Sequence, residues 1–152
     1  MIARSLACLF SVLALPALAQ TAQPATPGWT ADPRTGCKVW NTAPEPGESL
    51  SWSGGCVNNM ADGRGVLQWY ENGKPGDRYE GELKGGRHSG YGTTAYANGN
   101  RYAGTWLNDK AHGQGVYTRR DGSVYDGQWV NGCFNQGGRK AVVGASLKDC
   151  GF

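Results

Sequence analysis

The chain has 152 residues, with 25 glycines, 6 tryptophans, 7 tyrosines and only 3 phenylalanines, and its formal net charge is +3. A composition so rich in glycine and aromatic residues does not suit a thick aliphatic core, and it indicates a thin, turn-rich β structure. No basic run is longer than pairs such as Arg119-Arg120, whereas a nucleic-acid-binding surface needs a dense basic stripe, so we expect no nucleic-acid partner.

The first 19 residues have the pattern of a secretory signal peptide. Arg4 precedes an apolar stretch that ends in A-L-A at residues 17–19. This pattern predicts cleavage between Ala19 and Gln20 and export of the mature chain. We therefore expect a periplasmic or secreted protein, and the short signal peptide and small size suggest a Gram-negative bacterium. A membrane anchor is the alternative, which the short stretch and Pro16 disfavour.

The segments on either side of the centre differ in composition from it. Residues 20–36 are rich in Pro, Thr and Ala and predict a flexible linker. Trp29 either docks on the rest of the protein or stays free as a binding anchor. We expect an N-terminal capping segment over 37–51 and a C-terminal capping tail over 138–152, whose secondary structure the sequence does not decide.

The central region, residues 52–137, repeats itself every 23 residues where the repeat is regular. Units begin near Trp52, Tyr79, Tyr102 and Tyr125. An aromatic residue, a glycine and a third residue, bulky in the last three units, recur at positions one, three and five, and a G-x-G follows in the first three units. The repeat glycines are Gly54, Gly63, Gly65, Gly81, Gly90, Gly92, Gly104, Gly113, Gly115 and Gly127. Similarity at a fixed period indicates a repeat architecture.

Each unit has the pattern of a β-hairpin. In the third unit the first strand is about YAGTWL, the loop about NDKAH and the second strand about GQGVYTR. Asn98-Gly99 and Asp121-Gly122 predict tight turns between units, in which both central residues need positive φ. Alternation places Tyr102, Gly104 and Trp106 on one face. A large ring can then lie over the Cα of a glycine on the next strand, where a Cβ would lift it off.

The same alternation lines up aromatic side chains along one face of the predicted sheet. They are Tyr79, Tyr96, Tyr102, Trp106, Tyr117, Tyr125 and Trp129. A single-layer sheet cannot bury both of its faces, and exposed strips of tyrosine and tryptophan usually mark binding sites. The alternative is that these rings only pack on each other and on glycine, and the sequence leaves both possibilities open.

Two stretches, YEGELKGGRHSGYGTTAYANG and YAGTWLNDKAHGQGVYTRRDG, resemble the MORN (membrane occupation and recognition nexus) repeat. The resemblance covers about Trp52 to Gly132, with a degenerate first unit and a last unit that loses the G-x-G spacing. It implies an all-β fold, an elongated single-layer antiparallel meander of stacked hairpins, here of the small exported bacterial type. It also implies an interaction or scaffold module, since enzymes with such repeats carry a separate catalytic domain, which we do not expect here.

Four cysteines remain after export, which predicts two disulfides in an oxidising compartment. In an open array, Cys56 and Cys133 are separated by about five strand spacings, roughly 24 Å, whereas a disulfide needs Cα atoms within about 7 Å. We predict Cys37–Cys56 and Cys133–Cys150, each of which would hold a capping segment over one edge of the array.

The expected function is a non-catalytic module that binds a protein partner through the aromatic face, without a cofactor or metal. The alternative is a cell-envelope ligand binder, whose aromatic rings stack on glycan or peptidoglycan or whose basic residues meet anionic lipid headgroups. Those basic residues are Lys84, Arg87, Arg101, Arg119 and Arg120. A remote alternative is a small hydrolase that uses a histidine and a carboxylate. His88 and His112 both fall in predicted hairpin loops, where a simple role as turn residues is the plainer interpretation.

Overall fold

A computed structural model describes residues 26–152. The predicted signal peptide, residues 1–19, and its cleavage site therefore lie outside the described residues. Within residues 26–152, no helix has the length and apolar character needed to cross a bilayer. The strands are β1 (Gly28–Ala31), β2 (Lys38–Asn41), β3 (Glu48–Trp52), β4 (Gly55–Val57), β5 (Met60–Glu71), β6 (Lys74–Lys84), β7 (Arg87–Ala95), β8 (Arg101–Leu107), β9 (Lys110–Thr118), β10 (Val124–Trp129), β11 (Cys133–Gln136) and β12 (Arg139–Val142).

Ten of these strands form one sheet, in the order β1-β2-β5-β6-β7-β8-β9-β10, with β3 and β4 also paired to β5. From β5 to β10 each strand pairs antiparallel with the next one along the chain. The contact of β2 with β5 is parallel and consists of one residue pair, Lys38 with Met60. β11 and β12 form a separate hairpin. The predicted all-β meander of stacked hairpins is confirmed.

The turns inside the units are shorter than the sequence predicted. Asn108 and Asp109 both have positive φ, 49° and 66°, so a two-residue turn joins β8 to β9. Residues 110–112 consequently belong to β9 and not to a loop. Such a turn suits the right-handed twist of the strands that it connects, which explains why the hairpin closes with so few residues.

Two turns between units are longer than the sequence predicted, whereas the turn at Asn72-Gly73 has positive φ at both residues as expected. At Asn98-Gly99 and Asp121-Gly122 only the glycine has positive φ, so the predicted two-residue turns are wrong here. The Asn98 side chain accepts a hydrogen bond from the Asn100 N–H, and Asp121 accepts one from the Ser123 N–H. These local bonds favour a longer turn in which the Asn or Asp keeps an ordinary negative φ.

Six of the ten repeat glycines lie under an aromatic side chain, as the predicted sockets require. Gly104 and Gly115 are paired across β8 and β9, and a Cβ on either would collide with the ring of Tyr102. The Tyr102 ring thus covers one glycine on its own strand and one on the next strand, and its hydroxyl donates to the Thr105 carbonyl at 3.0 Å. Burial raises the pKa of Tyr102 to about 12.

Part of the predicted flexible linker is ordered, and for residues 28–36 that prediction is wrong. β1 pairs with β2, and Trp29 packs edge-on against Trp40 with ring centroids 5.1 Å apart. The guanidinium of Arg87 lies over both rings, 4.4 Å from the centroid of Trp40. Trp29 therefore docks on the protein although 43% of its surface is exposed, because a neighbouring ring and a cation hold it there.

Asp32 lies outside all of the predicted motifs. It links the N-terminal segment to the array by hydrogen bonds. Its carboxylate is fully buried, and it accepts hydrogen bonds from the Trp52 N–H and the Arg34 guanidinium, both at 2.8 Å. Burial would raise the pKa of Asp32, but these hydrogen bonds outweigh burial and lower the pKa to about 2. The aspartate is therefore held in its charged form.

Both predicted disulfides are confirmed, and each lies at one end of the array. Cys37–Cys56 and Cys133–Cys150 each have their Cα atoms 5.7 Å apart. At the C-terminal end, the hairpin of β11 and β12 places Phe134 against Trp129, with ring centroids 5.3 Å apart. The C-terminal segment, whose structure the sequence left undecided, thus begins with a strand that helps to cover the last repeat.

Candidate functional site

Most of the candidate binding face lies in the core. Six of its seven side chains are less than a tenth exposed, and Tyr96 is partly buried against them. Tyr102 contacts Trp106 and Trp129, with ring centroids 4.8 and 5.5 Å away. These rings pack on each other and on glycine, which is the second of the two possibilities left open by the sequence. The buried six are Tyr79, Tyr102, Trp106, Tyr117, Tyr125 and Trp129.

The aromatic layer is accessible from a cavity of about 360 Å³, to which both capping segments contribute. The N-terminal segment contributes Trp40 and the loop that follows it, and the C-terminal segment contributes Gly144. The repeat array contributes residues from β5 to β8 and from the adjoining turns, namely Trp69, Glu71, Asp77, Tyr79, His88, Thr94, Tyr96, Trp106 and Asp109. A volume of this size suits a small molecule or one or two side chains of a partner.

The lining of the cavity is strongly acidic. Glu48, Glu71, Asp77 and Asp109 all line it, and neither lysine nor arginine does. Of the four carboxylates, only Asp109 forms an ion pair within the described part of the chain. Among residues 26–152, no group of three or more His, Cys, Asp or Glu side chains is arranged to hold a metal ion. The carboxylates therefore give the cavity a negative potential without forming a metal-ligand set.

Asp109 and His88 form a positioned pair in the cavity wall. The Nδ1 atom of His88 and the Oδ1 atom of Asp109 are 2.8 Å apart, and the backbone N–H of His88 donates to the same oxygen. Arg87 donates to the other carboxylate oxygen at 2.8 Å. Burial would raise the pKa of Asp109, but the hydrogen bonds and the charge of these neighbours hold it below its ordinary value.

The two histidines lie in strands rather than in the predicted loops. His88 is in β7 and packs between Tyr79 and Trp106, with ring centroids 4.2 and 5.0 Å away. His112 is in β9 and accepts a hydrogen bond from the Asn131 N–H. Within the described residues, no hydroxyl or thiol is hydrogen-bonded to the Nε2 atom of His88. The pair therefore has the form of an acid–base dyad, without a nucleophile attached to it.

One polar group that lines the cavity is unsatisfied. Thr94 is 7% exposed, and its hydroxyl meets no hydrogen-bond partner among the described residues. A buried polar group without a partner is unfavourable, so a ligand group that reached this hydroxyl would remove the penalty. The neighbouring Tyr96 has its pKa raised by burial, a rise that the Thr94 hydroxyl partly offsets, and its phenol stays neutral.

The other candidate residues lie away from the cavity or have structural roles. None of Lys84, Arg87, Arg101, Arg119 and Arg120 lines the cavity, and the Arg119 guanidinium packs over the ring of Tyr125. Six repeat glycines are sites where a Cβ would collide with a ring or with facing backbone: Gly54, Gly65, Gly81, Gly92, Gly104 and Gly115. The other four have positive φ: Gly63, Gly90, Gly113 and Gly127.

The sequence did not predict the His88–Asp109 pair or the cavity. His88 and Asp109 are 21 residues apart, in the hairpins of two successive units, and only the histidine stands out in the sequence. Trp40, Glu48 and Gly144 lie outside the repeat pattern altogether. Six of the fifteen residues that line the cavity thus lie outside the repeated region, where the period makes no prediction.

Comparison with known proteins identifies the repeated region. The MORN repeat family matches residues 52–74, 79–101, 102–124 and 125–132, which together make up half of the chain. These matches coincide with the units that the 23-residue period defines and with the hairpins β5 to β10. No curated protein matches the sequence. The chain belongs to the MORN repeat family.

Proposed function

We propose that this chain is a non-catalytic MORN-repeat binding module that holds a segment of a protein partner in the cavity bordered by its two capping segments. The observation that carries this proposal is that Trp40, Trp69 and Trp106 all line this cavity, whereas Trp52 and Trp129 are buried away from it. The two disulfides are compatible with an oxidising compartment, where we expect the module to act.

The chemistry of the cavity suits a partner segment. Tryptophan and tyrosine are the residues that most often anchor protein interfaces, because they offer large rigid surfaces at a small entropic cost. Trp40, Trp69 and Tyr96 are each partly buried, so they are held in place and still present a face to an incoming group. A preformed site of this kind loses little conformational entropy on binding.

A neutral glycan is the second candidate occupant, and one observation favours it. Carboxylates and an unpartnered hydroxyl at Thr94 can bond to sugar hydroxyls while aromatic rings stack on the sugar. Anionic lipid headgroups are disfavoured, because the cavity has four carboxylates and no lysine or arginine in its lining.

The test is to block the cavity and measure partner capture. Ala43 is exposed and lines the cavity, whereas Thr93 is exposed on the opposite face of β7. The mature chain and the variants Ala43→Trp and Thr93→Trp would each be crosslinked in the native cell envelope, and the captured proteins identified by mass spectrometry.

We expect one or two proteins near stoichiometric yield with the wild type and with Thr93→Trp, and their loss with Ala43→Trp. Equal capture by Ala43→Trp would contradict the proposed docking site. If all three chains capture only background and the wild type alone sediments with bare peptidoglycan, the glycan candidate replaces the protein partner.

A further inference from the structure

The charge of the cavity is opposite to that of the chain. The whole chain carries a formal net charge of +3, yet four carboxylates and neither lysine nor arginine line the cavity. Glu48, Glu71 and Asp77 have no ion-pair partner within the described residues. A concave site with charges of one sign attracts a ligand group of the opposite sign, so the occupant should be cationic.

The protein already holds one guanidinium group beside this cavity, against two of the residues that line it. Arg87 stacks on Trp40 at 4.4 Å and pairs with Asp109 at 2.8 Å, and both of these partners line the cavity. An aromatic face together with a carboxylate is a favourable combination for a cation. The lining of the cavity offers the same combination, with Trp69 and Tyr96 as the rings and Glu71 and Asp77 as the carboxylates. Within the described residues, neither of these two carboxylates forms an ion pair.

A second observation points to a hydrogen-bond donor as the occupant. The Thr94 hydroxyl is buried in the lining without a partner, and it can accept an N–H bond. Ammonium and guanidinium groups carry only donors, which match the carboxylates and this hydroxyl. An aliphatic side chain would leave the Glu71 carboxylate and the Thr94 hydroxyl without a hydrogen-bond partner among the described residues, whereas Asp77 already accepts a hydrogen bond from the Ala97 N–H.

We propose that the cavity binds the cationic end of an arginine or lysine side chain from the partner protein, an inference that rests on the proposed function and specifies its partner. The ring faces receive the cation, and Glu71 and Asp77 provide the opposite charge.

The test uses two capped peptides that differ only in charge. One is acetyl-Gly-Gly-Arg-Gly-Gly-amide, and the other has citrulline, the neutral isostere, in place of arginine. Each is titrated into the mature ¹⁵N-labelled chain while the indole N–H signals are followed by NMR. Trp40, Trp69 and Trp106 line the cavity, whereas Trp52 and Trp129 do not, so the latter two are internal controls.

We expect the arginine peptide to shift the signals of the three cavity tryptophans and to leave those of Trp52 and Trp129 in place. The citrulline peptide should bind at least about tenfold more weakly, since the cation–π and charge contributions disappear.

Two carboxylate variants and a matched control sharpen the result. Glu71→Gln and Asp77→Asn remove charge from the cavity. The Glu71 carboxylate forms no ion pair within the described residues, and the hydrogen bond that Asp77 accepts from the Ala97 N–H can be kept by the amide oxygen of Asp77→Asn. Asp126→Asn makes the same change at an exposed position on β10. The first two variants should each weaken the binding of the arginine peptide roughly threefold to tenfold. The third should leave this binding unchanged.

Equal binding of the two peptides, or unchanged cavity signals at saturating peptide, would overturn the inference. Neither result tests the proposed function, which the blocking variant Ala43→Trp tests separately. Loss of partner capture with that variant, together with equal binding of the two peptides, would mean that the cavity docks a partner through an uncharged group.

Discussion

Trp106 and Trp129 occupy the same position in successive repeats, but the residues that pack against their rings differ. Each donates its indole N–H to the carbonyl of a repeat glycine, Gly92 for Trp106 and Gly115 for Trp129. Trp129 is covered by Phe134 of the C-terminal hairpin and is fully buried. Trp106 packs against His88 and lines the cavity. The repeats thus build one continuous aromatic layer, and the capping segments decide where that layer is open.

We expect the largest loss of stability from a substitution at the covered C-terminal end of the array and a smaller loss from one in the cavity wall. Trp129→Ala should lower the free energy of unfolding by about 3–5 kcal/mol, because it empties a fully buried site. Trp69→Ala, at a partly buried residue that lines the cavity, should cost less than about 2 kcal/mol. Urea unfolding of both variants measures the difference. Equal losses would mean that the cavity wall is as tightly packed as the covered end.

The disulfides should matter because they hold the capping segments in place. The double variant Cys133→Ser/Cys150→Ser should lose about 3 kcal/mol of stability, the value expected for a loop of this length. Tryptophan fluorescence should also report greater exposure of Trp129 in the folded variant. An unchanged midpoint of chemical unfolding would show that the hairpin of β11 and β12 stays docked without its covalent link.

Because repeat glycines make room for aromatic rings, replacing one of them should lower the stability by a smaller amount, which depends on which glycine is replaced. Gly115→Ala should cost about 1–3 kcal/mol, because the new Cβ would collide with the Tyr102 ring. Gly76→Ala is the control, since its Cβ would make only ordinary contacts with the Trp69 backbone. This control should change stability by no more than about 0.5 kcal/mol. Thermal unfolding of the two variants compares them, and similar melting temperatures would argue against the socket.

The stability that the N-terminal capping segment contributes should fall at acid pH, because Asp32 becomes protonated. Its pKa is lowered to about 2 in the folded chain, against about 3.9 for an unfolded aspartate. A lowered pKa adds stability above about pH 4, and this contribution disappears as the pH falls from about 4 to about 2. Asp32→Asn should therefore cost on the order of 1–2 kcal/mol at neutral pH and flatten this part of the stability profile. A variant whose pH profile matches the wild type would contradict the assigned role.

The repeated part of the molecule was largely predictable, since alternation and period are local properties of the sequence. They predict that Tyr102 and Trp106 share a face and that Gly104 is a socket, and the structure confirms both. The cavity was not predictable, because its shape depends on contacts between distant segments, such as Arg87 with Trp40. The turn at Asn98-Gly99 was mispredicted because a side-chain hydrogen bond, and not the dipeptide alone, selects its conformation.

Site-specific photo-crosslinking would show directly which face of the sheet the partner contacts. A benzophenone-bearing amino acid would replace Thr42, which is exposed in the lining of the cavity, or Thr93, which is exposed on the opposite face. If the partner docks in this cavity, it should crosslink from position 42 and not from position 93. Crosslinking from position 93 alone would contradict the account and would place the binding surface on the other side of the sheet.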